Sequence, residues 1–182
     1  MDSSQLTLYH STAAAKLPAI LTDGVVPSVE TYREPLVESL IEFAEDRGIS
    51  IPLDRTECSF FHPTQAIEHT TFYGTDDYDA LSAPMGLGVV DGQEVTGSVA
   101  VGEYRLFGEI IHFSHTDVAD RYSLVESYEE ALEGYAESFV ALDEFSSLDE
   151  IVSEYDHPEI MVEGGVSAES VSEVLLVKNI KM

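Results

Sequence analysis

The spacing of apolar and polar residues divides the chain into short strands and amphipathic helices. Apolar runs bounded by polar residues predict strands over 6–9, 58–61 and 159–162. Apolar residues that recur every three to four positions predict helices over 34–47 and 128–142. Strands and helices therefore follow one another in an irregular order.

Weaker patterns fill the intervals between these elements. Short helices are predicted over 16–21 and 63–74, strands over 97–104 and 173–177, and a long loop over 76–92, where Gly and Asp are frequent. The elements lack the regular alternation that marks a doubly wound sheet, and no glycine-rich phosphate loop follows a strand. The pattern predicts an α+β fold with mostly antiparallel strands, formed as one domain over residues 1–182.

Acidic residues outnumber basic residues along the whole chain. The sequence holds 35 Asp and Glu against 8 Lys and Arg, a formal net charge of −27, and the acids interleave with apolar positions and with 9 Tyr and 8 Phe. This pattern is typical of a folded protein with an acidic surface rather than of a disordered tail. Because molar salt screens charges beyond about 3 Å, the composition indicates a halophilic, archaeal source. The same charge argues against extended nucleic-acid binding.

Several kinds of site and location are not expected from the composition. Cys58 is the single cysteine, so no internal disulfide is possible, and we expect it to be a small buried residue. His112 and His115 have the spacing of a ligand pair, but no further ligand completes a set, and we expect no metal. The sequence has no run of about 18 apolar residues and no charged-then-apolar leader. It therefore predicts a cytoplasmic protein without a membrane partner.

Two polar residues stand where predicted strands end, one near each end of the chain. His10 follows the apolar run 6–9, and Glu159 opens the run 159–162. If these strand ends lie together, an imidazole and a carboxylate face one pocket, where the carboxylate can stabilise positive charge and polarise a nucleophile. Two plainer interpretations stay open: Glu159 as a solvated strand-edge acid, and His10 as a structural hydrogen-bonding residue.

The segments around both residues resemble one enzyme family. Residues 9–12 (Tyr-His-Ser-Thr), followed by a short helix and by residues 24–26 (Gly-Val-Val), resemble the opening strand of ADP-ribosyltransferase folds. Residues 158–167 (Pro-Glu-Ile-Met-Val-Glu-Gly-Gly-Val-Ser) and the apolar run after Glu173 resemble the catalytic strand, turn and final strand of the same families. The resemblance is to the His–Tyr–Glu type, which includes toxins that ADP-ribosylate DNA.

This resemblance implies two small antiparallel sheets that meet at an NAD cleft, with helices around them. NAD would be a substrate, from which nicotinamide leaves. Glu159 would be the catalytic carboxylate, and His10 would orient the nicotinamide ribose. The backbone of Ser11 would bind the carboxamide of nicotinamide, and Thr12 would fix the turn or the same ribose.

The family also implies an aromatic residue stacked on nicotinamide and, in some members, an arginine tied to phosphate. The tyrosine expected at the end of the middle strand is absent there, so Phe61 or Tyr73 would stack. Arg55 would contact phosphate, because a guanidinium binds pyrophosphate through two hydrogen bonds. The alternative for Phe61 is core packing, and the alternative for Arg55 is a surface ion pair with one of the many acids.

The expected function is transfer of ADP-ribose from NAD to an acceptor, which is a protein, a nucleic acid or a small molecule. Two alternatives are open. RNA 2′-phosphotransferases share the fold and use NAD, although the extra His and Arg residues that bind their phosphate have no evident counterpart. A module that keeps the fold and binds nucleotide or protein without chemistry is the third candidate.

Overall fold

Antiparallel strands form two small sheets in the computed structural model, which describes residues 6–27, 34–64, 82–88, 99–103, 106–107, 110 and 121–174. The strands are β1 (Thr7–Ala13), β2 (Cys58–Phe61), β3 (Ser82–Gly88), β4 (Val99–Glu103), β5 (Val140–Ala141), β6 (Pro158–Glu163) and β7 (Val171–Val174). The three-stranded sheet has the order β1-β3-β7, and the four-stranded sheet has the order β2-β6-β4-β5. The predicted α+β class and the antiparallel pairing are confirmed.

The late strand β6 lies in the interior of the four-stranded sheet. On one side it pairs with β2, where Phe61 lies opposite Ile160. On the other side it pairs with β4, where Gly102 lies opposite Glu159. The register of these two pairings fixes the position of Glu159 in the sheet.

Within the described ranges, one backbone bridge joins the two sheets. Tyr9 of β1 pairs with His62, the residue after β2, and their backbone N–H···O distances are 2.9 and 2.7 Å. The beginning of β1 therefore lies along the outer edge of β2.

The helices with described bounds are α1 (Leu17–Asp23), α2 (Glu34–Arg47), α3 (Arg121–Glu137) and α4 (Leu148–Glu154). α2 has its predicted bounds, and α1 carries Pro18 in its first turn, where a missing N–H costs nothing. The hydroxyl of Ser147 caps α4 by accepting a hydrogen bond from the backbone N–H of Glu150. None of the described helices is long and apolar enough to cross a membrane.

The predicted loop over 76–92 is wrong where the structure describes it. Ser82–Gly88 forms β3, which pairs with β1 on one edge and with β7 on the other. The sequence of this segment does not have a strand pattern, because Pro and Gly have low strand propensity and occupy positions 84, 86 and 88. Backbone hydrogen bonds to β1 and β7 hold this segment as a strand, although its residue types do not predict one.

The predicted helix over 128–142 is shifted. α3 begins at Arg121 and ends at Glu137, because Val140 and Ala141 leave the helix to pair with β4 as β5. The apolar spacing continues past the helix because Val140 and Leu142 are also packed in a core cluster, although in a different one from Leu132 and Tyr135. Of the predicted helix over 63–74, only residues 63 and 64 are described, so this prediction lies almost entirely outside the described residues.

Different buried side chains cover the two faces of the four-stranded sheet. Side chains alternate along β6, so Ile160 and Val162 lie on one face, in a core cluster with Phe61 and Val101. Met161 lies on the opposite face, in a separate cluster with residues of β2 and β4. We call these the Ile160 face and the Met161 face.

Helices α2 and α3 pack over the Met161 face. Their buried residues include Leu40 of α2 and Leu132 and Tyr135 of α3, together with Phe107. Phe139, which follows α3, packs against both this helical cluster and the cluster around Met161, so the two are continuous. The Ile160 face is instead covered by residues that include those of β1 and α4.

Candidate functional site

A buried ion pair joins Arg55 and Glu159. Nη1 of Arg55 donates a hydrogen bond of 2.7 Å to Oε2 of Glu159, and the two side chains are 6% and 7% exposed. A second ion pair, between Arg47 and Glu129, is 39% and 36% exposed. Only the first pair is therefore shielded from water and salt.

Alternation along β6 brings Glu159 to the Met161 face. The Glu159 side chain lies two residues before Met161, and Nη1 of Arg55 also approaches Sδ of Met161 at 3.6 Å. Arg55 begins a short 3-10 turn, Arg55–Glu57, which precedes β2. Asp54 caps this turn by accepting from the backbone N–H of Thr56, so the turn holds Arg55 at the sheet.

Aromatic rings enclose the Arg55 guanidinium. Its central carbon lies 3.8 Å from the ring centre of Phe107 and 4.4 Å from that of Phe60. A planar cation is stabilised over aromatic faces, and the stabilisation increases where water is excluded. The rings therefore offset part of the cost of burying the charge.

Tyr135 of α3 completes this site. Its hydroxyl accepts a hydrogen bond of 3.0 Å from Nη1 of Arg55, and burial raises the pKa of the phenol to about 12, so Tyr135 is neutral. Burial works to lower the pKa of Arg55, but Glu159 and Tyr135 raise it overall, so the guanidinium stays charged. A cation, an anion and a neutral phenol thus link the 3-10 turn, β6 and α3.

His10 lies on the Ile160 face. Its Nδ1 is 2.8 Å from the backbone oxygen of Phe60, and its ring centre is 5.7 Å from that of Phe61. Because a carbonyl oxygen only accepts, Nδ1 carries the hydrogen in this contact. Burial lowers the pKa of His10 below 6.5, and the nearby His62 and Lys16 lower it further, so the ring is neutral at neutral pH.

The structure does not bring His10 and Glu159 into one pocket. His10 lies beside Phe61 on the Ile160 face, whereas Glu159 lies with Met161 on the other face. Phe61 and Ile160, both 0% exposed, fill the space on the His10 side of the sheet. The shared pocket expected from the sequence is therefore absent among the described residues, and Glu159 has Arg55 as its partner instead.

The remaining predicted residues are distributed around β1 and β2. Thr12 is buried, and Ser11 pairs with Pro84 of β3. Phe61 is part of the core cluster, which favours the core-packing alternative. Tyr73 lies outside the described residues, so its stacking role stays a prediction.

Sequence reasoning overlooked Tyr135 and Phe107 as parts of a polar site. Tyr135 lies at helical spacing with Leu132 and Phe139 and so has the pattern of an apolar core residue, although a fully buried tyrosine needs a partner for its hydroxyl. That requirement is the only signal in the sequence that points to Tyr135. The alternative of a surface ion pair for Arg55 is wrong about the location, because Arg55 pairs with an acid in the protein interior.

The described site holds charge in place rather than presenting a free nucleophile. The carboxylate of Glu159 is bound to Arg55, and the thiol pKa of Cys58 is raised to about 11, chiefly by burial, so the thiol is protonated. Within the described ranges, no group of three or more His, Cys, Asp or Glu is arranged to hold a metal ion. The chain matches no family model, no curated protein and no solved structure.

Proposed function

We propose that the chain is an NAD-binding module of the ADP-ribosyltransferase type that does not cleave NAD while Arg55 holds Glu159. The observation that carries this proposal is the buried 2.7 Å contact between the two side chains. Catalysis of nicotinamide release needs an anionic carboxylate directed at the ribose as positive charge develops. In this arrangement Arg55 neutralises that carboxylate.

The fold assignment rests on the order of the segments. A strand with His10 near its middle and a late strand with Glu159 near its start belong to separate antiparallel sheets. This is the order that the resemblance to ADP-ribosyltransferases implies. NAD would contact the β1 side of the protein, where His10 and the backbone of Ser11 lie, and the acid on the Met161 face would take no part.

NAD titration combined with detection of nicotinamide tests this function. We expect the wild-type protein to bind NAD without releasing nicotinamide, and His10→Ala to weaken binding. Glu159→Gln should leave NAD binding unchanged, because Glu159 lies on the Met161 face, away from the β1 side where NAD would bind. Glu154→Gln, at an exposed position of α4, is the matched control.

Three outcomes separate the candidates. Nicotinamide release that disappears in Glu159→Gln and persists in Glu154→Gln would replace the binding module with a transferase. Release that requires RNA with a 2′-phosphate would assign the RNA 2′-phosphotransferase reaction. Absence of NAD binding would overturn the family assignment.

Transfer of ADP-ribose from NAD is the second candidate, and the cost of the buried pair favours it. A buried Arg–Glu pair adds little net stability compared with apolar residues of similar volume. Strongly perturbed charges in a protein interior are concentrated at functional sites. Transfer would require NAD to bind at the Met161 face instead of the β1 side, and the Arg55–Glu159 contact to open, so that Glu159 faces the ribose and Arg55 faces phosphate. The acceptor would be a protein, a nucleic acid or a small molecule.

A further inference from the structure

A groove runs between α2, the segment 49–54 and α3. It consists of two adjoining depressions of about 250 and 370 Å3, which share Ile49 and Ser50 as lining residues. The larger depression lies between α2 and the segment 49–54, and the smaller one extends to Ala136 of α3. The groove is separate from His10 and from the buried carboxylate of Glu159.

The floor of the groove is aliphatic. Ile41, Ile49 and Ile51 are half-buried there, next to the buried residues Ala44 and Leu53. Branched apolar side chains that converge on one depression leave apolar surface in contact with water. Covering that surface would contribute about 25 cal/mol for each Å2 buried.

The rim of the groove is acidic. Glu45 and Asp54 line the larger depression, Glu133 and Glu137 line the smaller one, and all four are exposed. No Lys or Arg is among the lining residues of either depression. The groove therefore combines an aliphatic floor with four carboxylates on its edges.

The nearest cation on α2 does not neutralise this rim. Nε of Arg47 is 2.7 Å from Oε1 of Glu129, and its guanidinium carbon lies 4.3 Å from the ring centre of Phe43. Arg47 is thus held between a different acid and an aromatic ring. Among the described residues, none of the four rim carboxylates forms an ion pair with Arg47 or Arg55, and Asp54 accepts hydrogen bonds from Thr56.

We propose that the groove is a docking site for a partner protein segment that presents aliphatic side chains flanked by lysine or arginine. The aliphatic residues would fill the two depressions, and the cationic groups would pair with the rim. A second copy of this chain is a poor occupant, because it has only 8 Lys and Arg against 35 Asp and Glu and so offers few cations to the rim. A nucleic-acid phosphate backbone offers the rim no cation.

The groove also shares elements with the Arg55 site. The segment 49–54 leads directly into the 3-10 turn that carries Arg55, and α3 carries both Ala136 of the groove and Tyr135. A segment docked in the groove would restrain two of the three elements that meet at the buried ion pair. Docking itself does not depend on whether the protein binds NAD.

Three synthetic helical peptides test this proposal. The first repeats Leu and Lys so that Leu lines one face, the second has Glu in place of Lys, and the third has Ser in place of Leu. Binding is measured by calorimetry in about 0.15 M KCl and again in about 1 M KCl, because salt screens the exposed ion pairs of the rim but not the apolar contacts of the floor. We expect only the Leu–Lys peptide to bind.

Variants locate the binding site. Ile49→Ser and the double change Glu133→Gln with Glu137→Gln should each weaken binding of the Leu–Lys peptide by about tenfold, the effect of about 1.4 kcal/mol. Val152→Ser and Glu154→Gln on α4 are matched controls, since Val152 is also an exposed apolar residue, at 42%. The double charge change leaves the groove floor intact, so it tests the rim even where Ile49→Ser fails to fold.

Two results would overturn docking in the groove. Equal binding of the Ser–Lys peptide would show attraction by charge alone. Unchanged affinity in the Glu133→Gln and Glu137→Gln double variant would place the peptide elsewhere on the protein. Failure of every peptide to bind would remove the proposal.

Discussion

Arg55 and Glu159 should depend on each other for their contribution to stability. Each is more than nine-tenths buried, and removing one leaves an uncompensated charge in the protein interior. We expect Arg55→Met and Glu159→Leu each to lower the free energy of unfolding by about 3–5 kcal/mol. The double variant should lose much less than the sum, because it leaves no unpaired charge.

Denaturant unfolding of the two single variants and the double variant measures this coupling. The exposed pair Arg47 and Glu129 is an internal control, and Arg47→Met should cost less than about 1 kcal/mol. Additive losses at Arg55 and Glu159 would show that the two charges do not interact in solution.

At this scale the sequence identified candidate residues but not their partners. Arg55, Glu159 and His10 are candidates because each has a polar or charged side chain next to a predicted strand. The structure places all three within a strand or next to one. The face of β6 on which Glu159 lies was hidden, because Ile160, Met161 and Val162 are all apolar and buried. A strand that is buried on both sides has no visible alternation, so either face was compatible with the sequence.

Gly24, in the turn after α1, has less room for a side chain than the other glycines whose surroundings are described. Gly24 has a φ of 86°, and a side chain there would collide with the backbone oxygen of Val166, which pairs with Val25. We expect Gly24→Ala to lower the free energy of unfolding by more than about 3 kcal/mol, since backbone strain and overlap add.

Gly48 after α2 is the matched control for Gly24. It also has a positive φ, of 68°, but no atom lies within 4 Å of the position that a side chain would take. Gly48→Ala should therefore cost only about 1 kcal/mol, the cost of the left-handed backbone alone. Thermal unfolding of both variants makes the comparison, and equal losses would contradict the collision at Gly24.

The predictability of the elements followed the strength of their local signals. α2 has its predicted bounds because Pro35, its apolar stripe and Gly48 all define it locally. The sequence predicts a loop at β3 because the segment has no strand signal of its own. Its strand conformation depends on pairing with β1 and β7, which are distant in the sequence. α3 ends earlier than predicted because pairing between β5 and β4 ends the helix, and no helix-terminating residue in the sequence indicates that pairing.

For the whole molecule, the net charge of −27 predicts a strong dependence of stability on salt. Lowering KCl from about 1 M to 0.1 M lengthens the screening distance from about 3 to 10 Å and restores repulsion among the acids. We expect a loss of about 2 kcal/mol, seen as a fall of about 4–8 °C in Tm. Sucrose, which stabilises without screening, should not replace KCl, and a Tm independent of KCl would contradict the halophilic interpretation.

The position of β6 has a consequence for the synthesis of the protein. β2 and β4 are neighbours of β6 and not of each other. Until residue 163 has been translated, β2 therefore has no partner in this sheet and β4 has only the two-residue strand β5. The four-stranded sheet therefore cannot assemble on the ribosome while its first strands emerge. A nascent chain would expose unpaired strand edges for most of its translation, which makes it a natural client for chaperones.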